Sequence, residues 1–365
     1  MTIFTFIAGF FLILIILWDV FETIILPRRV TRRIRLMNIF YTVIWVPWST
    51  LVKRVANERR HEKYLGLFGP LSLLLLLIVW AAGLIVGYAL LFWATGAKLS
   101  TLGESTFTIY LYLSGVTFFT LGYGDVTPLY GFGRFLVVIE GGNGLGLFAI
   151  VISYLPILYQ AFSRREASIS LLDARAGSPS SAVELLRRHR AEDSFADLNR
   201  LLSEWERWSA ELLESHLSYP VLCYFRSQHD NQSWLRALTT VLDTCALVIV
   251  GVDNAPVWQA RMTFAMARHA VVDIAQVFRT APSAPSSCSG RLTSEELRRL
   301  RDLLRDKGIE MADGDQTEKR LCELRMMYEP YVFALADWLL MPLPPWILPP
   351  DAIDNWKTSA WGRIQ

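Results

Sequence analysis

The chain has 365 residues, 53% of them hydrophobic, and a formal net charge of +2, which excludes both a polar soluble protein throughout and a polyanion binder driven by bulk charge. Apolar runs crowd into the first 162 positions and the rest is mixed amphipathic sequence, so a membrane part and an appendage are expected. Four cysteines, Cys223, Cys245, Cys288 and Cys322, form no CxxC pair; they read as free thiols of a reducing compartment and exclude a zinc ribbon.

The first apolar segment, IFTFIAGFFLILIILWDVFETIIL, runs from residue 3 to 26, exceeds the roughly 20 residues a bilayer needs, and lacks the charged start and cleavage site of a signal peptide. Near its inner end Asp19 and Glu22 lie three apart on one helical face; an ion-pair anchor to Arg28, Arg29 or the interfacial helix and a proton or ligand sensor are the two readings. Residues 27 to 63 hold ten Lys or Arg against two Glu, a pattern of cytoplasmic membrane flanking rather than nucleic-acid binding. Within them MNIFYTVIWVPWSTLV, 37 to 52, is short and contains Pro47. With basic clusters on both sides, it is expected to lie in the inner interface, basic residues toward anionic headgroups and tryptophans toward the acyl boundary.

A second span covers about 64 to 93 and a third about 132 to 162. The basic clusters then put the N-terminus outside, residues 27 to 63 inside, ATGAKLSTLGES outside and SRRE at 163 to 166 inside, giving a multi-pass inner-membrane topology. Between these spans, ESTFTIYLYLSGVTFF at 104 to 119 is capped by Glu104 or Ser105. About 14 residues of helix reach only about 21 Å, too short to cross, so a re-entrant half-helix is implied. Its carbonyl end would face whatever occupies the site beside Thr120, an end that attracts cations.

TFFTLGYGDVTP, 117 to 128, follows. Irregular backbone survives at bilayer depth only where protein or a water-filled cavity surrounds it. Thr120-Leu121-Gly122-Tyr123-Gly124-Asp125 resembles the T-V-G-Y-G-D selectivity filter of potassium channels of the prokaryotic pore-loop, two-transmembrane type. Pro128 and Gly133-Arg134 stand where that family begins its inner helix. The resemblance covers residues 64 to 162 and implies an all-α membrane protein in which filter carbonyls replace the hydration shell of K⁺. K⁺ is then the cargo bound by Thr120, Leu121, Gly122 and Tyr123; no organic cofactor, nucleic-acid partner or catalytic residue is expected. Leu121 stands in the usual valine position. Val116 and Tyr112-Leu113 stand where many relatives carry a supporting glutamate and a tryptophan pair, so filter support must come from other contacts. One filter per chain against four strands around one axis implies a homotetramer.

In the third span Gly144 falls, counting from Gly133-Arg134, at the inner-helix glycine that serves those channels as a gating hinge, and Pro156 lies near the inner end. Leu145, Phe148, Ala149 and Ile152 recur at helical spacing as candidate cavity wall. For Gly141, Gly142 and Gly146, bending and close helix packing are both open readings. Glu140 is an intramembrane carboxylate needing a partner, Asn143 or a pore-helix hydroxyl such as Thr117, and is a candidate regulatory group, with replacement of the missing pore-helix glutamate a further reading.

Residues 163 to 365 are helical in pattern with no alternating strand signal, unlike the dinucleotide-fold regulatory domains of many prokaryotic channels. Leu201, Leu202, Trp205, Trp208 and Leu212 form one stripe, and Thr293 with Glu296 forms a capping box. QSWLRALTTVLDTCALVIVGV, 232 to 252, is apolar enough to span but is interrupted by Arg236 and Asp243, so a buried core helix is expected. Around 217 to 234, Arg226, His229 and Asp230 are either helix-end caps or part of a pocket, with Arg261, Arg268, His269 or Asp273, for an unidentified small-molecule regulator. MPLPPWILPPD, 341 to 351, reads as an extended arm able to clasp a neighbour.

The expected organisation is therefore an N-terminal span with a basic interfacial helix (1–63), a pore domain (64–162) and an all-α cytoplasmic domain (163–365). The function this implies is a potassium-selective channel gated by an unidentified stimulus through the cytoplasmic domain. The reading from another class is a non-conducting, membrane-anchored sensor or scaffold.

Overall fold

A computed structural model describes residues 2–26, 36–54, 58–100, 106–190, 195–229, 231–280, 282 and 290–355. Among the described residues the elements are all helical, with two isolated bridges as the only β pairing. The chain divides into two compact units, residues 1–160 and 161–365.

In the first unit α1 (Thr2–Val20) runs into a π-helical turn, Phe21–Ile25, and packs along α3 (Glu58–Ala94). Small residues make that approach possible. A Cβ on Gly9 would lie 2.7 Å from the Gly87 carbonyl oxygen, and Cβ atoms on Gly83 and Gly87 would lie 2.7 Å from side-chain carbons of Ile16 and Ile13 respectively. Near the end of α1, Asp19 accepts a 2.8 Å hydrogen bond from the Trp80 indole of α3. Arg28 and Arg29, its expected ion-pair partners, lie outside the described residues.

Helix α2 (Leu36–Lys53) contains Pro47. Its tryptophans differ from expectation: Trp45 is buried with its ring 4.7 Å from Phe68 of α3, and Trp48 and Tyr41 also meet Phe68. Val43, Val46 and Leu51 form the exposed apolar face instead. An aromatic ring gains more from edge-to-face packing on another ring than from a half-wet interface, so α3 claims the tryptophans.

Helix α4 (Phe107–Phe118) and the irregular segment after it stand between α3 and α5 (Gly131–Ala176) in the chain. The expected caps of α4, Glu104 and Ser105, lie outside the described residues, and Thr106 at the N-cap makes no side-chain capping bond.

The second unit is built around α8 (Trp234–Gly251), in which every residue from Trp234 to Val250 is buried. A helix apolar on all sides must be enclosed by lipid or by protein. Here protein encloses it: α6 (Ala182–Arg188), α9 (Val257–Phe278), α11 (Asp315–Met326) and α12 (Glu329–Leu339) pack on it, and α7 (Ala196–Ser218) packs on α9 with Leu201, Leu202, Trp205, Trp208 and Leu212 turned inward. Asp243, in the middle of α8, accepts from Arg291 at 2.6 and 3.1 Å and from the Tyr328 hydroxyl. Arg325 pairs with Glu329 at 3.1 Å, and Arg291 reaches Glu329 at 3.4 Å. Two guanidinium groups thus balance two carboxylates. Burial opposes the charge on Arg291, but Asp243 overrides it and holds the guanidinium above its ordinary pKa; burial, then Asp243, drives the Tyr328 phenol well above the usual phenol range.

The capping box forms before α10 (Ser294–Arg305) as the sequence indicates. The proline-rich arm folds back on its own unit. Trp346 lies buried with Arg291 and Arg325 each 5.5 Å from its ring, Arg291 donates to the Pro344 carbonyl, Arg188 pairs with Asp354, and Asn355 donates to Asp173. The thiol reading needs correction: Cys223 and Cys245 are free and buried, whereas Cys322 is disulfide-bonded. Disulfide pairing is set by distance in the fold, which spacing along the chain does not report.

Candidate functional site

Helix α4 has 12 residues, about 18 Å of helix, and ends inside the fold rather than crossing it. Its last carbonyls hold the start of the next segment: the Thr120 amide donates to Thr117 at 3.0 Å and the Leu121 amide to Val116 at 2.9 Å. Beyond that point the backbone alternates in hand. Thr120, Gly122 and Gly124 have φ of +56, +59 and +78°, while Leu121 and Tyr123 are not on the positive side. Alternating hands turn successive peptide planes the same way, which brings the carbonyls to one side and the amides to the other. Glycine adopts the left-handed region without steric cost, so two of the three positions carry it. Thr120 is the non-glycine exception, strained in backbone and held by the end of α4. The carbonyls of residues 120 to 124 accept no hydrogen bond from the described residues, and residues 119 to 125 are all exposed in the single chain.

The contacts that support this segment join motif residues to side chains and backbone outside it. Tyr112 donates its hydroxyl to Asp125 at 2.9 Å. The C-terminal end of the segment is pinned by a bridge between Leu99 and Pro128, with Ser100 and Leu129 amides donating to Thr127 and Lys98 at 2.9 Å, and Arg134 donating to the Pro128 carbonyl. The Tyr110 hydroxyl adds a 2.9 Å bond to Ala97.

Helix α5 forms the wall behind. A Cβ on Gly144 would overlap the Phe118 carbonyl oxygen, so this glycine lets α5 touch the end of α4. Gly141, Gly142 and Gly146, for which close packing was one reading, meet nothing within 4 Å in the single chain. Leu145, Phe148, Ala149 and Ile152 share one exposed face, Leu145 at 64% and Ile152 at 70%, with the Phe148 ring about 6 Å from those of Phe118 and Phe119. Pro156 lies inside α5, which continues through it to Ala176; its missing amide frees the Ile152 carbonyl.

Glu140 is fully buried and meets the Ser114 hydroxyl of α4, while Asn143 donates to the Tyr88 hydroxyl of α3 at 2.5 Å. The sequence offered Asn143 or a hydroxyl of the half-helix such as Thr117 as its partner; the partner is a half-helix hydroxyl, and the rotation of α4 about its axis, which sequence spacing alone does not define, makes it Ser114. The other candidate residues are not brought to one place. Arg226 donates to the Leu339 and Leu340 carbonyls, ending α12, and Arg268 donates to Met327. His229 is exposed, His269 pairs with Asp273 within α9, and Asp230 lies outside the described residues. At a helix C-terminus such cations satisfy orphan carbonyls.

Three long apolar helices, with a half-helix and an alternating glycine-bearing segment returned between the last two, define a multi-pass membrane protein of the pore-loop class. A fourth helix of sufficient length and apolarity, α8, is the buried centre of the second unit. Residues 74–161 match the family described as "Ion channel", and the chain belongs to this ion-channel family. Protein LctB of Geobacillus stearothermophilus is 31% identical over 99 residues, 23% of this chain and 69% of that protein. The uncharacterized membrane protein YdjJ of Bacillus subtilis is 23% identical over 197 residues, 53% of this chain and 57% of that protein, so the chain spans little more than half of that relative's length. No solved structure matches the chain.

Proposed function

We propose that the protein is a potassium-selective channel in which four copies surround one axis and K⁺ passes along the carbonyl oxygens of Thr120, Leu121, Gly122 and Tyr123. The observation that carries this reading is the alternation of backbone hand at 120 to 124 together with carbonyls that no described residue engages. A dehydrated cation needs oxygen ligands on several sides, and a single strand offers them on one side only, so the reading requires a closed ring of copies. The carbonyl end of α4, half a negative charge in effect, adds to the attraction, and Asp125 supplies charge at the outer entrance. The exposed apolar face through Leu145, Phe148, Ala149 and Ile152 suits a cavity wall, with Gly144 and Pro156 as the bending points. Basic residues 27 to 63 support an inner face against anionic headgroups, the N-terminus outside and the second unit in the cytoplasm of an inner membrane, where it assembles or gates the pore.

Reconstitution of the full chain in liposomes tests this. K⁺ flux should far exceed Na⁺ flux, and Gly122→Ala should abolish selective flux, because alanine at φ +59° costs about 1–2 kcal/mol at a site where four copies repeat it. Liposomes that pass no K⁺ would leave the sensor or scaffold reading instead.

A further inference from the structure

Glu140 is a buried carboxyl with no matching charge. It is fully inaccessible in α5, and among the described residues no basic side chain pairs with it. The titratable group that faces it is the Tyr88 phenol of α3; from α4 it meets only the Ser114 hydroxyl. Its second oxygen, Oε2, is buried without a partner. The hydroxyl of Ser114 also lies 2.8 Å from the Ile85 carbonyl oxygen of α3. A carbonyl only accepts, and a serine hydroxyl has one proton to give. With that proton on Ile85, the close contact between Ser114 Oγ and Glu140 Oε1 needs a proton from the carboxyl. An ionised carboxylate here would keep a full charge in apolar surroundings with one oxygen unmatched, which costs far more than one unpaired neutral carbonyl oxygen.

We infer that Glu140 is a neutral carboxylic acid that donates its proton to Ser114, forming a three-helix tie, Glu140 to Ser114 to Ile85, that positions α4 behind the conducting segment. Ser114 precedes Thr120 by less than two helical turns, so the tie sets the rotation of the half-helix whose end holds Thr120 and Leu121. Its effect on conduction rests on the potassium-channel reading; the protonation state does not.

Two measurements on the full-length protein in lipid test the inference. At neutral pH the infrared difference between wild type and Glu140→Gln should contain the carbonyl stretch of a protonated carboxylic acid, shifted in deuterated water; a difference spectrum with carboxylate bands only overturns it. In flux assays Glu140→Gln, whose amide can donate the same bond, should stay within about twofold of wild type, while Ser114→Ala and Glu140→Ala should lose about tenfold, the scale of one buried hydrogen bond. Glu140→Gln falling as far as Glu140→Ala overturns positioning by a neutral donor. Should the alanine variants fail to assemble, the glutamine variant and the infrared band still decide. A wild type that passes no K⁺ refutes the channel reading and the conduction role, while the band still reports the proton.

Discussion

Glu140 and Asp243 are both buried carboxyls within apolar helical runs, and the two units treat them in opposite ways. Around Glu140 one hydroxyl is the partner, and among the described residues no basic side chain pairs with it. Around Asp243 a guanidinium, a phenol and a second ion pair close a balanced network. The same contrast runs through the helices that carry them. In the first unit apolar side chains such as Leu74, Ile78, Phe135 and Val138 remain exposed, as a lipid-facing or copy-facing surface requires; in α8 none does. Apolar length alone therefore does not define a membrane span. What surrounds the polar residue inside the apolar run does, because a paired ion belongs to a protein core and an unpaired carboxyl must give up its charge.

Removing Asp243 tests the comparison most severely. Asp243→Ala leaves Arg291 buried against too few anions and should destabilise the second unit by about 3–5 kcal/mol, read as a fall in the denaturant midpoint followed by tryptophan fluorescence. A loss below about 1 kcal/mol would mean that the network is exposed to water and that the contrast with Glu140 is false.

Next in size is Gly144→Ala. Its Cβ would overlap the Phe118 carbonyl oxygen, so α4 or α5 must shift; overpacking of about 1–3 kcal/mol is expected, with loss of the proposed K⁺ flux. A flexible hinge role alone would spare flux in the open state. The alanine variant thus separates close packing from bending at this position.

The smallest effect sharpens the second unit. His216 is buried beside Arg165, whose guanidinium donates toward His216 Nε2 at 3.2 Å, while Nδ1 faces the Leu212 carbonyl at 2.9 Å. Burial first, then Arg165, holds its pKa well below the ordinary imidazole value. Since the folded state binds this proton less readily than the unfolded chain, the contribution is complete above the unfolded pKa of about 6.5 and declines as pH falls below it. Thermal melts of the full chain should lose about 1 kcal/mol between about pH 7.5 and 5.5, and His216→Gln should remove most of that slope.

Much of the first unit was legible because its signals are local. The filter-like run, the short half-helix and the three long apolar segments are contiguous in sequence, and backbone demands such as φ of +59 and +78° leave glycine as their mark at Gly122 and Gly124. A further local signal, the Gly83-to-Gly87 spacing on which Ile13 and Ile16 rest, was missed, although small residues four apart in an apolar run mark close helix contact. In the second unit Asp243 sets its helix apart from a membrane span already in the sequence, but its partners Arg291 and Tyr328 lie 48 and 85 residues away. Arg226, a candidate ligand group by composition, ends a helix that begins more than a hundred residues later.

The sequence by itself determined where the chain can cross a bilayer, where it turns back, and that Gly122 and Gly124 are free to adopt the left-handed region, since length, hydropathy and the missing Cβ act residue by residue; the same conformation at Thr120 left no such mark. Only the tertiary structure decided which buried charges are matched. Tyr112 reaches Asp125, Ser114 meets Glu140, Arg291 balances Asp243 and the proline-rich arm lays Trp346 against Arg291 and Arg325 because helix rotation and packing set those distances. The physical reason is range: a backbone conformation costs energy at one residue, whereas the charge of a buried carboxyl is settled by whatever group the fold brings within hydrogen-bond reach.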